Sequence, residues 1–142
     1  MPQTKEHNQV VREEFTRQAR SATTTMGKSW DTHCPMGPYI VTTDEVPDPH
    51  RLDLKTWVNG ELRQNSNTRH LIFNCFDIVE HLSTAFTLEP GDVIATGTPS
   101  GVILGMDPKI WLKPGDVVRI AIDQLGGLEN PVFAEPASTV QY

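Results

Sequence analysis

Polar and apolar residues alternate from about residue 53 onward, a pattern typical of β-strands with one buried face. Leucine, threonine and valine alternate with lysine and tryptophan over residues 53–59, where Asn59-Gly60 ends the run. Because an Asn-Gly pair favours a type I′ turn, residues 61–65 are predicted to return as the second strand of a hairpin. Residues 117–122 are apolar and rich in β-branched side chains, and they predict a further strand.

Three shorter apolar runs also predict strands. Residues 39–43 (YIVTT) are aromatic and β-branched, and residues 93–95 (VIA) form a run too short for a helix. Residues 132–133 follow a Gly-Gly and an Asn-Pro turn signal and predict a short final strand. Two predicted strands begin after similar turns, EPGD at 89–92 and KPGD at 113–116.

The apolar period changes to that of a helix after Asn74, with Phe76, Val79, Leu82 and Phe86 on one face. Asparagine is a common N-cap residue, because its side chain can accept hydrogen bonds from the free N–H groups of the first turn. We therefore predict a helix that begins directly after Asn74.

The first 25 residues are charged and contain few apolar side chains. Those present form a narrow stripe at helical spacing, which predicts a surface helix: Val11, Phe15 and Ala19. The chain is divided accordingly into a charged helix or linker (1–25), a strand-rich domain (26–136) and a tail (137–142). With one or two helices beside several strands, the predicted class is α+β.

Charge and composition exclude several functions. The 142 residues suit one domain, and 18 acidic against 12 basic residues give a net charge of −6, which argues against a nucleic-acid partner. No apolar run approaches the roughly 18 residues of a membrane span, and no signal-peptide pattern is present, so we expect a cytoplasmic protein. Cys34 and Cys75 lie outside any CxxC pair and are predicted to be buried thiols.

The loop TGTPSG at residues 96–101 is the best candidate for ligand binding. Its two glycines allow a ligand to approach the backbone closely, and the hydroxyl of Thr98 can donate a hydrogen bond beside them. A polar connection between strands is the commoner explanation of such a loop, and the spacing alone does not separate the two.

Other motifs are weaker. Lys28 lies in a GKS triplet, but Ala22 stands where a Walker A loop has its first glycine. The histidines lack HExxH-type spacing, and Ser100 is not in a GxSxG elbow. The acidic residues of segment 44–48 could hold a cation through oxygen ligands, although solvated turns are the more common role of such clusters.

Four long phrases then stand in order along the chain: GKSWDTHCPMGPYIVTTDEVPDP (27–49), NGELRQNSNT (59–68), LSTAFTLEPGDVIATGTPSGV (82–102) and LKPGDVVRIAIDQLGGLENPV (112–132). In order and spacing they resemble the C-terminal catalytic domain of the fumarylacetoacetate hydrolase family. The resemblance covers residues 26 to about 136, nearly four-fifths of the chain.

The resemblance implies a mixed β-sheet roll, a homodimer, and an active site in which Mg²⁺ or Mn²⁺ helps to bind a 2-oxo acid. It implies that Lys28 complements the substrate carboxylate or enolate, and that the hydroxyl and backbone of Thr98 hold the carboxylate. Gly27, Gly97 and Gly101 would permit close backbone approach, with Gly97 beside the substrate. In hydrolytic members of the family, a water activated by a His-Glu pair attacks the distal carbonyl, and the C–C bond breaks.

The family's metal ligands, a Glu-x-Glu pair and an Asp, are expected upstream of Met26 but are not reproduced there. Glu13 and Glu14 are adjacent rather than separated by one residue. One interpretation is a metal-dependent hydrolase of acylpyruvate-type substrates, completed by a separate chain. The other is a truncated or fused, catalytically incomplete binding or assembly module. Isomerases, hydratases and oxaloacetate decarboxylases share the motifs kept here, so the reaction type stays open.

Overall fold

The computed structural model describes residues 33–134, and within this range the strands form a four-stranded sheet. The strands are β1 (Asp53–Val58), β2 (Glu61–Asn67), β3 (Val117–Ile122) and β4 (Gly126–Pro131), in the order β2-β1-β3-β4. The strand-rich α+β class is confirmed. Every pairing in the described range is antiparallel, whereas the resemblance implied a mixed sheet.

The hairpin of β1 and β2 turns at Asn59-Gly60, as the sequence predicts. Both residues have positive φ, 52° and 81°, which a type I′ turn requires. The side chain of Asn59 also reaches the start of β3, because its Nδ2 donates to Asp116 at 3.0 Å and its Oδ1 accepts from the N–H of Val117 at 2.9 Å. The turn is therefore held both locally and across the sheet.

Helix α1 (Cys75–Ser83) begins directly after Asn74. The side chain of Asn74 accepts hydrogen bonds from the N–H groups of Phe76 and Asp77, at 2.8 and 2.9 Å, and so confirms the predicted N-cap. The helix ends before Phe86, and Thr84 is its C-cap. The end comes early because the hydroxyl and N–H of Thr84 both bond to the carbonyl of residue 81, which tightens the last turn.

Three strand predictions are wrong in this structure. Residues 39–43 run through an irregular segment into a turn, which the N–H of Val46 closes on the carbonyl of Thr42 at 3.1 Å. Residues 93–95 and 132–133 are not in strands either, and the last turn lies at residues 123–125 rather than at the glycine pair. A β-propensity is realised only where a neighbouring strand supplies hydrogen-bond partners.

One face of the sheet is apolar, and its side chains are half-buried. Cross-strand register places the following residues on it: Leu54, Val58, Val118, Ile120, Ile122 and Leu128. Thr56 and Gln64 form a cross-strand pair on this same face. Val46 and Leu52 are the buried hydrophobic residues of the described range.

Some predictions fall at or beyond the limits of the described range. The helix predicted over residues 1–25 lies outside it, so the structure does not test that prediction.

Neither described cysteine is in a disulfide. Cys34 is exposed and Cys75 half-buried, which corrects the prediction that both are buried. Across residues 33–134, no helix is long and apolar enough to cross a membrane.

Candidate active-site loop

The TGTPSG loop lies within the long connection between α1 and β3, and the side chain of Thr98 is exposed. Gly97 and Gly101 both have positive φ, 98° and 100°, a conformation that L side chains rarely adopt. The glycines therefore permit a backbone path that bends on either side of Thr98. The close approach of a ligand to this backbone stays a prediction.

Thr98 contacts strand β2 through Gln64. The Nε2 of Gln64 donates to the Oγ1 of Thr98 at 2.9 Å and to the carbonyl oxygen of Pro99 at 3.1 Å. The Oε1 of Gln64 accepts from the hydroxyl of Thr56 on β1, also at 2.9 Å. A chain of hydrogen bonds thus runs from the sheet to the tip of the loop.

A β-bulge lies at the point where the loop meets β2. The register pairs Thr56 with Gln64 and Trp57 with Leu62, so Arg63 is the extra residue. Gly101 packs against the main-chain carbonyl of Arg63, where no β-carbon would fit. The bulge therefore brings the backbone of β2 directly against the loop.

The side chain of Arg63 lies beside the same contact. Its side chain is only 16% exposed and forms an ion pair with Glu61 at 3.2 Å. One guanidinium nitrogen also contacts the sulfur of Met106 at 3.5 Å, while Nε is buried without a hydrogen-bond partner within residues 33–134. A buried donor of this kind is uncommon in folded proteins.

The predicted site residues separate into two groups. Gly97, Thr98 and Gly101 lie together in the loop, while Gly27 and Lys28 lie outside the described residues. Sequence reasoning missed Gln64 and Thr56, which hold Thr98. The phrase NGELRQNSNT contains Gln64, but a polar residue in a strand gives no signal that it contacts a loop 34 residues away.

The described residues do not form a magnesium site. The side chains around Thr98 offer hydroxyl and amide groups, whereas Mg²⁺ and Mn²⁺ are usually held by carboxylates. No group of three His, Cys, Asp or Glu side chains is close enough to hold a metal within residues 33–134. In the acidic segment 44–48, Asp48 pairs with Arg51 at 2.9 Å.

The KPGD turn contains an aspartate, Asp116, whose pKa is strongly lowered. Asp116, only 5% exposed, accepts from the side chain of Asn59 and from both the N–H and Nζ of Lys113, at 2.9 to 3.0 Å. These bonds, led by that of Asn59, lower the pKa of Asp116 from 3.8 to about 2. They fasten the start of β3 to the hairpin and are structural in role.

The family model described as "Fumarylacetoacetate (FAA) hydrolase C-terminal" matches residues 7–133, which begins upstream of Met26. The chain therefore belongs to the fumarylacetoacetate hydrolase family. Similar proteins in this family include hydrolases, isomerases and tautomerases.

Three similar proteins illustrate the range. An oxaloacetate tautomerase of Xenopus laevis is 50% identical over 107 residues, which cover 75% of this chain and 34% of that protein. The structure of a fumarylacetoacetate hydrolase from Exiguobacterium antarcticum matches with a TM-score of 0.80 and 44% identity, over 84% of this chain and 43% of the other. A maleylpyruvate hydrolase from Sphingobium, in complex with manganese(II) and pyruvate, matches with a TM-score of 0.66 and 46% identity, over 73% and 37%.

Each alignment covers most of this chain but less than half of the similar protein. The chain spans about a third of the length of the curated relatives it matches, 34% of the frog tautomerase and 36% of an oxaloacetate tautomerase of Bacillus subtilis. The span of the family model, residues 7–133, includes the TGTPSG loop and the hairpin that holds it.

Proposed function

We propose that this chain forms the part of an active site that binds the carboxylate end of a 2-oxo acid. The observation that carries the proposal is the exposed hydroxyl of Thr98, held by Gln64 between two glycines with positive φ. A hydroxyl and nearby backbone N–H groups are suited to bind carboxylate oxygens. The pyruvate bound by the maleylpyruvate hydrolase of Sphingobium supports this ligand class.

Lys28 is proposed to act with Thr98. Its ammonium group would complement the negative charge of the carboxylate. It would also stabilise the enolate that forms when the carbon beside the 2-oxo group loses its bond to the distal carbonyl carbon, or loses a proton. Thr98 would contribute orientation rather than charge, because a neutral hydroxyl donates one hydrogen bond to a defined oxygen. The two roles are separable by mutation.

The proposed reaction is hydrolysis of a C–C bond in an acylpyruvate-type 2-oxo acid. Isomerisation or tautomerisation of a 2-oxo acid is the alternative, supported by the isomerase and tautomerases among the similar proteins. A requirement for Mg²⁺ or Mn²⁺ is part of the proposal and is supported by the manganese-bound relative. The described residues do not themselves fit a metal site.

A binding or assembly module without catalysis is the second candidate function. The observation that favours it is the lack of a carboxylate cluster within residues 33–134. A homodimer, implied by the resemblance, and a cytoplasmic location, expected from the sequence, are further proposals. Sedimentation of the purified chain would test the dimer.

Titration calorimetry with oxalate, a mimic of the pyruvate enolate, tests the proposed function. The chain is titrated with and without Mg²⁺, and pyruvate is used as a second ligand. Binding that requires Mg²⁺ would support the metal-dependent enzyme, and binding without Mg²⁺ would support a carboxylate-binding module. No binding under either condition would show that the chain alone has no 2-oxo-acid site.

A further inference from the structure

The orientation of the Gln64 amide is fixed by its neighbours. The carbonyl oxygen of Pro99 can only accept a hydrogen bond, so the group that faces it at 3.1 Å must be the NH₂ of Gln64 and not its oxygen. The reverse orientation would place two carbonyl oxygens against each other. The hydroxyl of Thr56, 2.9 Å from Oε1, satisfies the opposite end of the same amide.

This orientation determines the role of the Thr98 hydroxyl. One amide proton of Gln64 points at Pro99 and the other at Oγ1 of Thr98, so Oγ1 accepts a hydrogen bond along that direction. The proton of the Thr98 hydroxyl must then point elsewhere, since two protons cannot lie between the same two atoms. An exposed hydroxyl whose proton is directed away from Gln64 is available as a donor to a ligand.

The position of Gln64 depends on the sheet rather than on the loop. Gln64 follows the bulge at Arg63 and is paired across the strand with Thr56, which leaves it half-buried. Rigid strands hold a contacting side chain more accurately than a loop can, since loops are the more mobile parts of a fold. The loop side chain is thus aligned by a pair of residues that belong to the sheet.

We propose that Gln64 is a positioning residue that sets the Thr98 hydroxyl as a donor to the ligand, with Thr56 aligning Gln64. The site then selects a ligand atom that accepts hydrogen bonds, such as a carboxylate or enolate oxygen. This inference rests on the proposed function and adds to it the residue that makes the Thr98 hydroxyl a hydrogen-bond donor.

The test compares oxalate affinity among variants of the full chain, by calorimetry. Gln64→Met keeps the length of the side chain but removes the amide, and should weaken binding about fivefold to tenfold, as expected for the loss of one neutral hydrogen bond. Thr98→Val should weaken binding at least as much. In the Thr98→Val background, Gln64→Met should have no further effect, because Gln64 acts through Thr98. Gln124→Met, the same substitution in the turn between β3 and β4, is the control and should leave affinity unchanged.

A second measurement does not depend on the ligand. Three-bond NMR couplings should report a single χ1 rotamer for Thr98 in the unmodified chain and rotamer averaging in Gln64→Met. An equal loss of affinity from Gln64→Met in both backgrounds, or the same Thr98 rotamer in both proteins, would overturn the positioning role.

The two proposals can fail separately. If the unmodified chain binds oxalate and Gln64→Met binds it equally well, the positioning role is wrong and the proposed function stands. If the unmodified chain does not bind oxalate, the proposed function is wrong for this chain. The rotamer measurement then decides whether Gln64 orients Thr98.

Discussion

Gly101 packs so closely on the main-chain carbonyl of Arg63 that a β-carbon at position 101 would overlap the oxygen. The contact joins the end of the TGTPSG loop to the bulge in β2. It places Thr98, three residues earlier, within hydrogen-bond distance of Gln64, one residue after the bulge. The loop is therefore positioned by a backbone contact that only glycine allows.

Gly101→Ala should destabilise the domain by about 2–4 kcal/mol, since it adds both a collision and an unfavourable φ of 100°. The free energy of unfolding from urea titration measures the loss. Gly91→Ala is the matched control, because Gly91 has a φ of 104° but open space around its α-carbon. Equal losses in the two variants would show that the contact with Arg63 contributes nothing.

Lys28→Ala should abolish oxalate binding, because it removes the positive charge, whereas Thr98→Ala should weaken binding at least about fivefold to tenfold. Both variants should leave the melting temperature almost unchanged. Thr98 is exposed, so its truncation removes a ligand contact rather than packing. Calorimetry and thermal unfolding of the same preparations check the two halves of the prediction. A variant that binds pyruvate or oxalate as well as the unmodified chain would remove that residue from the site.

Stability should fall as the pH drops from about 4 to about 2, because of Asp116. Its pKa is about 2 in the folded chain and near 3.8 when exposed, so its stabilising effect is complete above the higher value and is lost as pH falls through the lower one. Asp116→Asn should flatten this part of the profile of melting temperature against pH. An unchanged slope in Asp116→Asn would contradict this role of Asp116.

Asn59→Ala should cost about 2–4 kcal/mol, since it removes the bonds to Asp116 and Val117 and places alanine at a φ of 52°. Asn59→Gly removes the same bonds but tolerates this φ, so it should cost less. Urea titration of both variants separates the two contributions. If glycine costs as much as alanine, the backbone conformation is not part of the effect.

Asn74→Ala should destabilise the domain by about 1 kcal/mol through loss of the α1 N-cap, whereas Asn74→Ser should retain most of the stability. Chemical unfolding followed by circular dichroism measures both. The structural basis is the pair of N–H bonds from Phe76 and Asp77 to the asparagine side chain. Equal stability of the alanine and serine variants would contradict a capping role.

Short sequence motifs correctly predicted the elements that depend on a few neighbouring residues. Asn59-Gly60 fixed the hairpin because its turn conformation depends on those two residues, and Asn74 fixed the start of α1 for the same reason. Residues 39–43 and 93–95 have the composition of strands but form none in the described range. Whether an extended segment becomes a strand depends on a neighbouring edge, which composition does not specify.

The sequence by itself determined the family, through the order of its motifs, and it predicted the glycine-rich loop with Thr98 as the candidate site. Only the tertiary structure decided how Thr98 is held. The connection that follows β2 returns to that strand, and its loop meets the strand at the bulge, where Gln64 and the carbonyl of Arg63 contact it. Such contacts arise from strand register and chain path, which are properties of the whole sheet and leave no pattern in either segment alone.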